Sequence, residues 1–335
     1  MTRTRRDAIS DDATRVFHID ALGADDISLG ILEKTGAARD TRLPPALLVH
    51  GATFGATLFD LPVPGYSLMS ALAQAGRTVY ALDIRGYGNS LSGGVMESPP
   101  QMHPPFARLK DAVKDIEAAA AFILAREQIK AIDIVGFSWG TVAAARYATE
   151  FPHHVARLAL YAPLYAEVNE MWLARIGDPD DRTRIDPNIG AYRLVTQADI
   201  VQRWNSDIGA AEPGIHRDHG LPEVIFETLS ALDPKSRSHV PPAFRSPTGA
   251  LADLVSIFSG RPLYDPAKIV MPTLLVRGAN DTTSTDSDSK QLLSAIASAK
   301  KEYRVIAPGS HFLCAEKNRA ELYECLNEFF GGPRD

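Results

Sequence analysis

Cysteine is scarce, at two in 335 residues, too few for a disulfide-stapled scaffold. No apolar run approaches the ~18 residues that a membrane-spanning helix requires. A basic excess is also missing. Asp and Glu outnumber Lys and Arg by 41 to 35, for a net charge of −6. Nucleic acid is therefore excluded as the expected partner, because phosphate backbones are bound by basic stripes. The amino terminus, Met1 through Asp7, carries three arginines, but no apolar stretch of about 7–15 residues follows it. It reads as a solvated tail rather than a secretory leader, and a cytoplasmic location is the expectation. The histidine pairs His153-His154 and His216/His219 lack a second pair of ligands at suitable spacing. No metal and no cofactor is expected.

What is present is an ordinary globular composition, 45% hydrophobic and 23% charged. A chain of this length buries roughly three quarters of its unfolded surface. Two β-type runs, Val16–Asp20 and Ile27–Lys34, read as an entry hairpin. Short apolar runs follow at Ala46–Val49, Thr78–Asp83, Ile132–Val135, Leu158–Tyr161 and Thr273–Val276, and Lys301–Ala307 closes the series. Apolar runs without alternation indicate strands buried on both faces, hence a parallel sheet covered by helices. Phe106, Leu109, Val113, Ile116, Ala120 and Ile123 mark one face of a long helix. Thr141–Thr149 is alanine-rich, and Leu322, Leu326, Phe329 and Phe330 form a closing stripe. The alternation predicts a doubly wound α/β sheet. From about Leu164 to Pro262 no buried-strand run occurs, and scattered prolines separate short helical patches. This segment reads as a helical insertion, since a structureless loop of that length is rare in a compact domain.

Gly136-Phe137-Ser138-Trp139-Gly140 fits G-x-S-x-G. By chance such a pentapeptide appears about once in ten chains of this length, so its context decides. Here it follows a buried run and precedes an alanine-rich helix, as the motif requires. The turn would expose the serine oxygen at the sheet edge, with the Trp139 amide aimed at a developing oxyanion. His50-Gly51-Ala52-Thr53 follows the first buried run. The amide of Ala52, or that of Thr53, could supply a second oxyanion donor. His50 itself reads as a hydrogen-bonded structural residue. The acid should lie just past a later strand, where Asp281 stands, with Asp286 and Asp288 as competitors at a helix start. The base should follow the last strand, where His311 stands. The order Ser138, Asp281, His311 is that of α/β-hydrolases and differs from chymotrypsin and subtilisin.

On these pieces, with Asp83-Ile84-Arg85-Gly86-Tyr87-Gly88-Asn89-Ser90, Arg277-Gly278 and Gly309-Ser310-His311-Phe312, the chain resembles the α/β-hydrolase superfamily over almost its whole length. The resemblance implies an eight-stranded, mostly parallel sheet formed by residues 1–164 and 262–335. A helical cap, 165–261, would be inserted after the sixth strand. It also implies a serine esterase mechanism. Ser138 attacks an acyl carbon, His311 moves the proton, and Asp281 orients the imidazole. Relatives that open epoxides or displace halide carry aspartate at the elbow, so serine here disfavours both. Neither Cys314 nor Cys325 occupies the elbow, and a buried spectator role is expected for Cys314.

The aromatic residues of the insertion suggest an apolar pocket for a small-molecule ester. Phe54, Trp139, Trp172 and Trp204 are the candidate lining residues. Of the arginines 175, 182, 184, 193, 203 and 245, one could pair with a substrate carboxylate, and Arg245 is the candidate chosen. The stretch from Phe244 to Pro262 looks like bacterial esterases that act on aromatic or alkyl esters, including half-esters of aromatic diacids. The leading expectation is a carboxylesterase. The alternatives are a C–C bond hydrolase acting on a ring-cleavage diketone, an amidase, lactonase or cofactor-free peroxidase, and, outside enzymes, a ligand receptor on the same fold. A homodimer is left open.

Overall fold

The computed structural model describes residues 13–208 and 213–331. The basic amino-terminal tail lies outside the described residues. Among these, no helix is long and apolar enough to cross a membrane.

The entry hairpin is β1 (Arg15–Ala21) and β2 (Ala24–Thr35), paired antiparallel. The apolar runs form β3 (Ala46–Val49), β4 (Thr78–Leu82), β5 (Ile132–Phe137) and β6 (Val155–Tyr161). β7 (Tyr192–Val195) and β8 (Phe244–Pro247) lie apart, and β9 (Thr273–Gly278) and β10 (Lys301–Ile306) complete the main sheet. The eight-stranded sheet runs β1-β2-β4-β3-β5-β6-β9-β10. β2 meets β4 antiparallel, and every pair from β4 to β10 is parallel. Alternate residues of one strand serve two cores. Leu47 and Val49 pack on one face, Ala46 and Leu48 on the other. A strand covered on both sides needs apolar residues at every position, which is why these runs do not alternate. β10 departs from the rest. It has β9 as its single neighbour, and three of its six residues, Lys301, Glu302 and Arg304, are charged and partly or fully exposed.

One layer of helices is α1 (Leu68–Gln74) and the carboxy-terminal helix. The other holds α2 (Leu109–Glu127) and α3 (Trp139–Glu150). α2 starts at Leu109, three residues later than the periodicity from Phe106 suggests. Ala107 has φ 62°, which breaks the helical path. The Asp253 carboxylate accepts the Leu109 N–H at 2.7 Å, satisfying a first-turn donor.

Between β6 and β9 lie α4 (Glu170–Ile176), α5 (Gln197–Ile208), α6 (Pro213–His216), α7 (Leu221–Ser230) and α8 (Gly249–Phe258). The segment holds the helices expected of it, joined by irregular stretches, and it also holds strand. β7 and β8 pair antiparallel as a separate two-stranded sheet. Four-residue strands far apart in sequence leave no local alternation to detect. After β9 come α9 (Asp286–Ala295) and α10 (Arg319–Gly331).

Two close approaches set the geometry at the sheet's carboxyl edge. A Cβ on Gly140 would collide with the carbonyl oxygens of Val49 and His50, so α3 reaches β3 only because residue 140 has no side chain. His50 is fully buried. Its Nε2 accepts the Ile84 N–H at 3.1 Å, so its proton sits on Nδ1 and is donated to the Gly51 carbonyl at 2.8 Å. Burial pulls this imidazole down from 6.5 to about 4, against the opposing hydrogen bond to Gly51.

Gly140→Ala is expected to destabilise the fold by about 2–3 kcal/mol through forced backbone displacement; an unchanged urea midpoint would contradict this. The His50 shift carries a definite sign. The folded state binds fewer protons than the unfolded chain between pH 6.5 and about 4. The stabilising contribution is therefore complete above pH 6.5 and lost as pH falls towards 4. At ~1.4 kcal/mol per pH unit it amounts to about 3 kcal/mol. His50→Asn should flatten the pH dependence of unfolding free energy over that window, and equal slopes in the two proteins would disprove it.

Candidate active site

Ser138 stands alone between β5 and α3, with φ 55° and ψ −124°. For a non-glycine residue such a backbone costs about 1–3 kcal/mol. Its N–H donates to the Tyr161 carbonyl at 3.0 Å, and its carbonyl accepts from the Thr141 N–H at 2.8 Å and hydroxyl at 2.6 Å. A Cβ on Gly136 would strike the Gly140 carbonyl, so the strand-to-helix turn closes only with both glycines.

The loop after β10 brings His311 to this serine, with Nε2 and Ser138 Oγ 2.8 Å apart. On the other side of the ring, Nδ1 lies 2.8 Å from Asp281 Oδ2. A carboxylate only accepts, so the proton sits on Nδ1, and Nε2 is free to accept from the serine hydroxyl. The remaining Asp281 oxygen accepts the amides of Thr283 and Ser284 at 2.8 and 2.9 Å. Arg277 clamps the loop through the carbonyls of Ser284 and Asp281. Burial would raise the Asp281 carboxyl, but the attraction of His311, its hydrogen bond and the Ser284 amide outweigh it and hold the group below its ordinary value. Asp286 and Asp288 are occupied elsewhere. Asp288 accepts three successive amides, Tyr165 to Glu167, and Asp286 bonds the Tyr303 hydroxyl.

The loop of residues 50–54 lies against the serine. A Cβ on Gly51 would approach the Ser138 Cβ to 3.1 Å. Tyr87 donates to the Ala52 carbonyl at 3.0 Å, Ser246 to the Thr53 carbonyl at 3.1 Å, and the Ala56 amide donates to Asp83 at 2.7 Å. The Asp83–Ser90 motif thus acts as the brace of this loop. Trp139 is the first residue of α3, where an N–H has no intrahelical acceptor.

Ser138 and His311 open on a cavity of about 430 Å³ that Phe54, Trp172, Ile200 and Leu254 help to line. Phe54 and Trp172 are where the sequence suggests. Three other candidates are not on its wall. The Trp139 indole is fully buried and donates to Asp253 at 3.3 Å, so only its backbone adjoins the site. Trp204 is also fully buried, donating to Glu316 at 2.8 Å behind the Phe312 ring. Arg245 is consumed by ion pairs with Asp233 at 2.6 Å and Glu97 at 3.1 Å. Nor is the wall simply apolar, since Arg175, Arg193 and Arg203 reach it. Cys314 is buried off the cavity, its thiol pushed up to about 12 by burial.

Two supports were not read from the sequence pattern. Asp207 of α5 accepts the His311 N–H at 3.1 Å and pairs with Arg203 at 3.0 Å. Glu316, fully buried, accepts the Ser310 amide at 2.9 Å and hydroxyl at 2.5 Å. Glu316 lies five residues past His311 and could have been suspected. Asp207 lies 104 residues away and could not.

A search of the curated proteins finds no match. Among solved structures, the chain is similar to a thermophilic esterase from Thermogutta terrifontis, at 16% identity and TM-score 0.59, covering 95% of this chain and 98% of that one. It is similar to a 2-hydroxy-6-oxo-6-phenylhexa-2,4-dienoate hydrolase from Rhodococcus sp. strain RHA1, at 19% and 0.60, covering 96% and 100%. It is likewise similar to a bromoperoxidase from Bacillus anthracis, at 18% and 0.58, covering 95% and 100%. Identities this low speak for the fold alone. The family model described as "Alpha/beta hydrolase family" matches residues 46–324, and with the sheet order already described, the chain belongs to the alpha/beta hydrolase family.

Proposed function

We propose that the protein is a serine hydrolase of small carboxylic esters, with Ser138, His311 and Asp281 as its catalytic residues. The observation that carries this reading is the unbroken line from Ser138 Oγ through the His311 ring to Asp281 Oδ2, with 2.8 Å at each of its two hydrogen bonds. The serine oxygen attacks the acyl carbon while its proton passes to His311 Nε2. The resulting oxyanion is received by the amides of Trp139 and Ala52, whose positions beside Ser138 suit them as donors. Collapse of the intermediate breaks the bond to the alcohol, which leaves with the proton from His311. Water then attacks the acyl-enzyme, giving its proton to His311, and the serine is restored when that proton returns. Asp281, a carboxylate throughout, stabilises the imidazolium that forms twice in each cycle. Residues 165–261 serve as the cap of this site, contributing Trp172 to the cavity wall that Phe54 also lines.

A cavity of about 430 Å³ sits in the range of small-molecule sites and suits an ester with a short acyl group. The test is hydrolysis of p-nitrophenyl esters from acetate to decanoate by wild type and Ser138→Ala. The expected result is turnover with an optimum at short to medium acyl length, and a loss of about a thousandfold or more in kcat for the variant. Absence of turnover on every ester would contradict the ester assignment. The C–C hydrolase reading would then be taken up with a diketone substrate.

A further inference from the structure

Three arginines reach the cavity, and their situations differ. Arg203 is neutralised by Asp207 at 3.0 Å and donates to Thr283 at 2.6 Å. Arg175 is exposed, with its guanidinium 5.7 Å from the Trp172 ring, so water solvates it. Arg193 has neither remedy. It lies on β7, where its backbone pairs with Ser246. Its guanidinium donates to the Thr53 hydroxyl at 2.8 Å, and its Nε is buried without any hydrogen-bond partner. Among the described residues no carboxylate lies within ion-pair distance of it. The carboxylate whose charge acts on it, Asp199, is engaged as the acceptor of the Thr196 amide and hydroxyl. Burial accordingly lowers the Arg193 pKa, and Tyr87 and Asp199 only partly oppose this.

A half-buried guanidinium with a buried, unpartnered Nε and no counter-ion is costly, and it is the planar fork that receives a carboxylate in two parallel hydrogen bonds. Thr53, which it touches, is the residue after Ala52 in the loop against Ser138. The positive charge therefore sits within one residue of the proposed oxyanion donor, on the wall of the same cavity. We infer that the substrate is an ester bearing a carboxylate, and that Arg193 is the residue that receives this group. The inference rests on the ester hydrolase reading and narrows it. The aromatic wall takes the remaining, uncharged part of the substrate.

The test compares matched neutral and anionic esters. p-Nitrophenyl hemisuccinate against p-nitrophenyl butyrate places the charge on the acyl half. 4-Acetoxybenzoate against phenyl acetate places it on the alcohol half. In wild type at least one anionic member should exceed its neutral partner by about 10- to 100-fold in kcat/KM, the range of a charge-assisted hydrogen bond. Which pair shows the preference identifies the half that carries the carboxylate. Arg193→Met should bring that ratio close to one, chiefly through KM. Arg193→Lys, which keeps the charge and loses the fork, should retain part of it and covers the case in which the Met variant does not fold. Ratios near one in wild type, or an anionic preference that survives in Arg193→Met, would overturn the inference while leaving ester hydrolysis intact. A variant that loses both members of a pair equally would assign Arg193 to holding the Thr53 loop, and would overturn it too. Should wild type hydrolyse no ester, calorimetry with the product acids succinate and 4-hydroxybenzoate decides separately. Binding weakened at least tenfold by Arg193→Met supports the carboxylate site, and no binding to wild type refutes it.

Discussion

Ser138 occupies a backbone conformation, φ 55° and ψ −124°, that an isolated strand-to-helix connection would not keep. The surrounding parallel sheet keeps it. β5 is central, flanked by β3 and β6, and the serine amide is bound to the end of β6 while its carbonyl is bound into the first turn of α3. Gly136 and Gly140 remove the two side chains that would push strand, helix and β3 apart. Everything proposed for the site depends on this turn. It sets where the serine oxygen stands and brings the first free amide of α3 beside it.

Around the turn, the proposed triad and the 50–54 loop are held mostly by groups that are not on the cavity wall. Asp281 is held by two amides and by Arg277 acting on the loop carbonyls. The backbone of His311 is held by Asp207 and Tyr161, and its neighbour Ser310 by Glu316. The 50–54 loop is held by His50, Tyr87 and Asp83. Such supports fix geometry before any substrate arrives, which is what electrostatic preorganisation requires. One of them, Asp207, comes from α5 in the segment between β6 and β9, and Trp204 of the same helix donates to another, Glu316. That segment is thus tied to the histidine loop by hydrogen bonds as well as by its share of the cavity wall.

Much of this was legible in the sequence, for a physical reason. Parallel strands buried on both faces write themselves as short apolar runs, and the chemistry of such sheets gathers where those runs end. Ser138, Asp281 and His311 each follow a strand by a few residues, so their convergence could be argued from order alone. The brace made by Asp83 to Ser90 showed as a motif, though not what it braces. What could not be read were partnerships between distant segments. Arg245 looks like a candidate for a substrate carboxylate until Asp233 and Glu97 are seen to neutralise it. Arg193 looks no different until its guanidinium is found with the Thr53 hydroxyl and a bare Nε. Whether a tryptophan lines a cavity or backs it is equally a tertiary matter, as Trp172 and Trp204 demonstrate. The β7–β8 pair escaped notice because each strand meets its complement only after the chain has folded.

The most direct measurement is covalent trapping with ethyl p-nitrophenyl butylphosphonate, followed by mass spectrometry of the digested protein. A serine activated by His311 should displace p-nitrophenolate and leave one phosphonyl group per chain on the peptide containing Ser138. That adduct should be absent in Ser138→Ala and form far more slowly in His311→Gln. An adduct on another residue with Ser138 unmodified, or labelling of Ser138 at the same rate without His311, would contradict the assignment of this serine as the nucleophile.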